Sequence, residues 1–240
     1  MSPPPPPPDV FRYTIDPSLE AFNVSPNEWM AQNNKDFNGI AVANVVFDDQ
    51  DRVLLVQRAA HDSMPNRWEV PGGAADQEDG DEEEEEEEGE AGPGDRKEVE
   101  IDTRPRQLRG TILSGAAREL WEEAGLVAKR FTHLVPQPEE APVRGATEAP
   151  PPAFKDHQGF VYTNRTGKVR YLRFAFHVEV QRTDNVVLDP DEHQAYVWAT
   201  EDEVRAGTTK DRLDIPATVP ATRAYILEAF RLRALTKSRQ

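Results

Sequence analysis

Apolar residues recur along this chain in two rhythms, and each rhythm marks a set of elements. From Gly39, "GIAVANVVFD" is a run rich in β-branched residues and predicts a buried strand. "DDQD" makes a turn, and "RVLLVQRA" predicts the hairpin partner of that strand. "RWEV" from Arg67 predicts a further short strand, closed by "PGG". "FVYTN" and "KVRYLRFAFHVEV" predict two long strands around a turn at Arg165–Gly167, and "AYVWAT" from Ala195 a final strand.

Helical spacing governs the other segments. "TILSGAARELWEEAG" from Thr111 predicts the strongest helix, with Gly125 as its stop. "SPNEWMAQNN" opens as a capping box, with Ser25 at the N-cap, Pro26 at the first helical position and Glu28 two residues on. "TEDEVRAG" predicts a short capped turn or helix. "PATRAYILEAFRLRAL" predicts an amphipathic C-terminal helix, with Ile226, Ala229, Phe230 and Arg233 at helical spacing. Strands mixed with a few helices predict an α/β (α+β) fold, a sandwich around one mixed sheet. There is no internal repeat.

Composition narrows the class. A chain of 240 residues holds one substantial domain with appendages, or two small ones. It has no apolar run of about 18 residues, so no transmembrane helix is expected. "MSPPPPPPDV" lacks the basic start and apolar core of a secretory signal. Zero cysteines remove disulfides and thiolate metal sites and fit an intracellular, cytoplasmic protein, with the nucleus left open.

The net charge of −16 argues against stable nucleic-acid binding. That charge is local. Between Asp76 and Asp102, 16 acidic residues stand against Arg96 and Lys97, which places −14 of it in one segment. Such a segment repels itself and cannot bury enough apolar surface, so it predicts disorder. The expected organisation is a disordered Pro-rich tail over 1–8, an N-terminal extension over 9–37, and one domain over 38–236 carrying a disordered insertion at about 77–110. "PQPEEAPVRGATEAPPPAF" from Pro136 predicts a second Pro-rich loop.

Three acids on the Thr111 helix raise a chemical question. At helical pitch Glu119, Glu122 and Glu123 fall within an arc of about 100°. Leu113, Ala117, Leu120 and Ala124 occupy a separate flank. Two carboxylates about 4 Å apart near a surface repel by roughly 4 kcal/mol. Exposed side chains splay apart and avoid this; held ones need a cation between them. Hard divalent ions such as Mg²⁺ take oxygen ligands, among them carboxylates and substrate phosphates. The same three acids also suit a plain solvated helix face. The rest of the pattern favours the metal: Arg118 precedes Glu119, Gly125 ends the helix, and "VPGG" lies upstream at a strand end.

These residues resemble the Nudix box, G-x5-E-x7-R-E-U-x-E-E-x-G-U, where U is bulky and apolar. Arg118, Glu119, Leu120, Glu122, Glu123, Gly125 and Leu126 fill every fixed place of its second half. "RWEVPGG" is similar to the strand and turn that begin the box, with Gly73 at its first glycine. The resemblance spans about Gly39 to Leu235. It departs in one respect: 44 residues separate Gly73 from Arg118, where the family's box runs without interruption. The acidic segment is the surplus. Gly110 stands where the family's first glutamate belongs, and Asp79 or a glutamate within the insertion is the candidate substitute. Lengthening the loop from about two to about 33 residues costs about 2.5 kcal/mol of closure entropy. A domain stable by roughly 5–15 kcal/mol tolerates that.

The resemblance implies a Nudix-type α/β/α sandwich and a Mg²⁺-dependent hydrolase, with Mn²⁺ as a possible substitute. It would cleave the pyrophosphate linkage of a nucleoside diphosphate joined to another moiety. It implies Glu122 and Glu123 as metal ligands, Glu119 as a further ligand or the base that activates water, and Arg118 as the group that orients these carboxylates. The backbone of Gly72 and Gly73 would pass close to the metal. A further carboxylate from outside the box is expected at Glu192 rather than Glu179. Arg58 ends a strand and would either touch a substrate phosphate or serve as an ordinary strand-end arginine.

His61, His133, His157, His177 and His193 show no metal-ligand spacing and read as surface or loop histidines. Trp29, Trp68, Trp121 and Trp198 read as core. The expected partner is a small nucleotide or diphosphate substrate, with no nucleic acid and no membrane. Substrate identity and oligomeric state stay open. Two other readings remain: a catalytically weak Nudix-fold binding or regulatory module, and an acidic calcium-buffering protein.

Overall fold

The computed structural model describes residues 11–75, 110–138, 159–163 and 169–238. The polyproline tail, the acidic insertion, nearly all of the second Pro-rich loop and the turn at Arg165–Gly167 lie outside the described residues, as do Asp79 and His157. Eight strands are described: β1 (Thr14–Ile15), β2 (Gly39–Val45), β3 (Val53–Arg58), β4 (Trp68–Glu69), β5 (Ala128–Val135), β6 (Phe160–Thr163), β7 (Arg170–Val180) and β8 (His193–Ala199). The α-helices are α1 (Pro26–Gln32), α2 (Ile112–Ala124), α3 (Glu201–Ala206) and α4 (Pro220–Lys237), with a 3-10 helix over Pro17–Phe22.

Helix boundaries follow the capping chemistry. Ser25 accepts from the Glu28 backbone N–H at 3.2 Å and opens α1. The Glu28 carboxylate accepts from Gln32 Nε2 instead of closing the box. Thr111 and Ser114 cap α2 reciprocally, and Gly125 ends it in a left-handed conformation at φ 64°. Thr200 and Glu203 form a complete capping box on α3.

The strands form two sheets rather than one. Five lie in a mixed sheet of order β1-β5-β7-β2, with β6 on β7; three lie in a second sheet of order β4-β3-β8. The expected β2–β3 hairpin is therefore corrected. The two strands join only through a Phe47–Val53 bridge and a Leu54 N–H to Val46 carbonyl bond of 3.0 Å. The turn between them is closed by the Asp48 carboxylate, which accepts from the backbone N–H groups of Gln50 and Arg52. Beyond the bridge the strands part. β2 runs parallel to β7 from Gly39–Tyr171 to Val45–His177, while β3 pairs with β8 and β4.

Two further differences concern strands. β5 was not expected, and it pairs antiparallel with β7 and parallel with β1. β6 spans four residues and is not long, although it does pair antiparallel with β7 as the turn implied.

Alternation along β2 and β7 builds two cores. Ile40, Val42 and Val46 join Leu172, Phe174, Phe176 and Val178 under α2, where Leu113, Ala117, Leu120 and Ala124 are buried. Tyr13, Leu19 and Trp29 of the N-terminal segment pack into that same core. Ala43, Val45 and Phe47, with Ala175, face Tyr225, Ile226 and Phe230 of α4. Helices on both faces of strands make the α/β/α sandwich. Trp29, Trp68 and Trp121 are buried and Trp198 is half-buried. Among the described residues, no helix is long and apolar enough to cross a membrane.

His177 is buried in β7, which corrects its reading as a surface residue. Its Nδ1 lies 2.5 Å from the Thr132 hydroxyl, and its ring stacks on His133 at 4.9 Å. Burial pushes the imidazole down to about 3 from an ordinary value near 6.5. The unfolded chain therefore takes up a proton that the fold refuses. This residue's contribution is constant above about pH 6.5 and unfavourable below it, costing about 3 kcal/mol by pH 4.5. Urea unfolding of His177→Asn between pH 7.5 and 4.5 should show a shallower loss of stability on acidification than the parent. Parallel slopes would contradict the assignment.

Candidate active site

The site forms where the turn after β4 meets α2. Backbone bonds fix the turn to β2: Val42 N–H to Gly73 carbonyl at 2.8 Å, Asn44 N–H to Pro71 carbonyl at 2.7 Å, and Ala75 N–H to Ile40 carbonyl at 2.9 Å. The fully buried Asn44 side chain donates to the carbonyls of Pro71 and Ala116, and so ties strand, turn and helix together.

Three contacts join the turn to the functional face of α2. The Gly72 N–H donates to Glu123 Oε2 at 2.5 Å. Arg118 Nη2 donates to the Ala74 carbonyl at 2.9 Å. Gly73 lies against the Glu119 carboxylate: a Cβ there would sit 2.6 Å from Glu119 Cδ. Gly72 is glycine for another reason, since a Cβ would press within 2.8 Å of the Ala43 Cα. The two halves of the split motif thus meet in space, although the acidic segment lies between them in sequence.

Arg118 organises its neighbours. Its Nη1 reaches Glu119 Oε1 at 2.9 Å and Glu122 Oε2 at 2.6 Å. Glu122 is half-exposed, whereas Glu119 is 8% and Glu123 4% exposed. Burial pushes Glu119 up to about 7, opposed by the Arg118 charge and assisted by Glu122 and Glu192. Burial likewise pushes Glu123 well above the usual carboxylate range. Glu119, Glu69 and Glu192 add to that shift, and the Gly72 N–H opposes it.

The opposite wall comes from β3, β4 and β8. Glu192 lies in the turn before β8, its carbonyl held by the Ala59 N–H at 2.8 Å. His193 opens β8, 2% exposed, with neither ring nitrogen hydrogen-bonded. Burial pushes its imidazole down to about 4 against the pull of Glu69. Glu123, Glu192 and His193 each offer a ligand atom, all within 4.8 Å of one another. Arg58 is committed to carboxylates: its guanidinium bonds to Glu69 and Asp62, and its Nε donates to the Ser63 carbonyl at 2.7 Å. Buried Glu69 also has Arg173 and His193 at 4.0 Å.

The structure thus brings Glu123 and Glu192 together, with Glu119 beside them and Glu122 at the rim. Glu179 lies exposed on β7. Glu69 and His193 were missed by the sequence reading. Glu69 lies within "RWEVPGG", next to the recognised turn; His193 follows Glu192 directly, and its burial corrects the surface reading.

Compared with known families, the chain matches the NUDIX domain over residues 37–89 and 109–218, more than half its length. The chain belongs to the NUDIX family, and by class it is a Nudix hydrolase. The unmatched 90–108 fall inside the insertion expected at about 77–110. No curated protein matches the sequence. Among solved structures it is similar to a MutT protein from Methanosarcina mazei, at 15% identity and a TM-score of 0.46, covering 82% of this chain and 94% of that one. It is also similar to an Ap4A hydrolase from C. elegans, at 16% identity and a TM-score of 0.44, covering 84% and 99%. A third is the NUDIX domain of NrtR from Shewanella oneidensis, solved with ADP ribose, at 14% identity and a TM-score of 0.45, covering 88% and 99%.

The raised carboxylates carry a stability consequence. In the absence of metal the fold holds protons on Glu119 and Glu123 that the unfolded chain releases, so each lowers stability as pH rises from about 4.5 through the folded value. In chelator at pH 8, Glu123→Gln should melt about 2–4 °C or more above the parent, the shift expected for about 1 kcal/mol in a domain of this size. The gain should vanish near pH 5. A variant less stable than the parent at pH 8 would count against a destabilising buried charge.

Proposed function

We propose that this protein is a divalent-metal-dependent hydrolase that cleaves the pyrophosphate linkage of a nucleoside diphosphate joined to a second group. The observation that carries the reading is the convergence of Glu119, Glu123 and Glu192 beside the Gly72–Gly73 turn. Like charges held this close destabilise the metal-free protein, and a cation among them removes the penalty. The oxygen donors suit Mg²⁺ or Mn²⁺. Glu123 and Glu192 would hold the ion, with Glu119 and Glu122 completing the acidic rim. When bound, the ion supplies charge neutralisation on the diphosphate.

The remaining work falls to the chain's own groups. The Gly72 N–H fixes one Glu123 oxygen, and Arg118 holds Glu119 toward Gly73. Glu119, buried and held by Arg118 beside the turn, is the group that would take the proton of the attacking water. The water oxygen bonds to phosphorus, the bridging P–O bond breaks, and the leaving phosphate keeps the electron pair. Arg118 steadies the acids by charge-assisted bonds rather than touching substrate.

The test is turnover of nucleoside triphosphates, ADP-ribose, dinucleoside polyphosphates, coenzyme A and isopentenyl diphosphate with Mg²⁺ or Mn²⁺. One class should be hydrolysed, and Glu123→Gln and Glu192→Gln should each lower the rate about a hundredfold or more. No turnover from folded protein would favour a binding module instead. A second test addresses the turn. Gly73→Ala pushes a methyl group into the Glu119 carboxylate. It should lower divalent-ion affinity about tenfold by calorimetry, the scale of a disturbed ligand support. Unchanged affinity would remove Glu119 from the site.

A further inference from the structure

Two acids alone make a weak case for anything beyond Mg²⁺, but this cluster has a third member of different chemistry. His193 is 2% exposed, and both its ring nitrogens lack a hydrogen-bond partner. Burying a polar group unpaired costs about 1–3 kcal/mol, so such a ring is rarely left in a core without a use. The ring is also aimed. One of its nitrogens lies within 4.8 Å of carboxylate oxygens of both Glu123 and Glu192. A further acid, Glu69, has its Oε1 4.0 Å from Nε2, and that oxygen is already taken by Arg58.

We propose that His193 is a metal ligand and that Glu123, Glu192 and His193 form a mixed nitrogen and oxygen site selective for a first-row divalent transition ion over Mg²⁺. The inference rests on the metal-dependent reading given above and extends it to the ion's identity. Imidazole is a borderline ligand that first-row transition ions accept readily, whereas Mg²⁺ favours an all-oxygen shell and keeps several waters. A buried imidazole beside two carboxylates therefore discriminates by ligand type. The backbone sets the geometry. β8 shifts register against β3 between Gln57 and Arg58, so that His193 rather than Gln194 stands opposite Arg58. Such an irregularity re-aims a side chain.

Mn²⁺ is the probe, because it is the weakest binder of the transition series and reports nitrogen ligation by pulsed electron paramagnetic resonance. The full chain, stripped with chelator and reloaded with Mn²⁺, should show nitrogen hyperfine coupling. Titration calorimetry should show Mn²⁺ binding tighter than Mg²⁺. His193→Gln should abolish the coupling and weaken Mn²⁺ about 10–100-fold, while Mg²⁺ binding stays nearly unchanged. Should that variant fail to fold, loss of the coupling in Glu123→Gln still assigns the nitrogen to this cluster. Mn²⁺ bound in a Glu123-dependent way without nitrogen coupling would overturn the His193 assignment and leave the hydrolase reading intact. Absence of Glu123-dependent binding of either ion would overturn both.

Discussion

The site depends on one electrostatic constraint: Glu123 is a carboxylate buried among carboxylates. Burial and the nearby charges of Glu119, Glu69 and Glu192 all disfavour its ionised form, and the Gly72 N–H opposes them. The surroundings show how the fold confines this cost. Arg118 covers Glu119 and Glu122, Arg58 covers Glu69 and Asp62, and Arg173 stands beside Glu69. The perimeter is thereby neutralised. Among the described residues, no ion pair reaches Glu123 or Glu192. Positive charge lines the perimeter and pairs with neither Glu123 nor Glu192, which is the arrangement a bound cation completes.

The same contacts explain how the motif survives being split. The turn over Gly72–Ala75 is bonded to β2, and α2 is docked by its apolar flank and by Asn44. Both anchors are made among the described residues. The chain leaves at Ala75, held by Ile40, and returns at Gly110, which takes φ 71° just ahead of the Thr111 cap. Both ends are thus fixed by described residues, and the entropy of closing a loop between fixed ends grows only slowly with its length. The Ala74 carbonyl supports Arg118 from the turn side, because it accepts directly from the guanidinium.

Much of this was legible in the sequence because the informative signals are local. Caps at Ser25, Thr111 and Thr200 and stops at Gly125 and Gly207 are set by residues within a few positions of one another. The carboxylate arc on α2 follows from helical pitch alone. The misreadings are non-local. β2 and β3 are adjacent in sequence and separated by a turn, so a hairpin was the economical reading, yet β2 finds its partner in β7, more than a hundred residues away. β5 carries Lys129 and Arg130 in exposed positions, and that charge masked Phe131 and Val135, which the core buries.

His193 was the least legible residue, and the reason is geometric. Neighbours along a strand point to opposite faces, so an adjacent Glu–His pair does not read as a joint ligand set. Here the pair straddles a boundary. Glu192 belongs to the turn, pinned by Ala59, while His193 is already in the strand and paired opposite Arg58 through the register shift. Convergence is therefore made by the turn and the irregularity, not by strand periodicity. A regular ladder would place Gln194 opposite Arg58 and send the imidazole elsewhere. The position of Arg58 matters for the same reason. By bonding Glu69 it draws that carboxylate to the wall, which leaves the imidazole facing Glu123 and Glu192 as the third donor of the cluster.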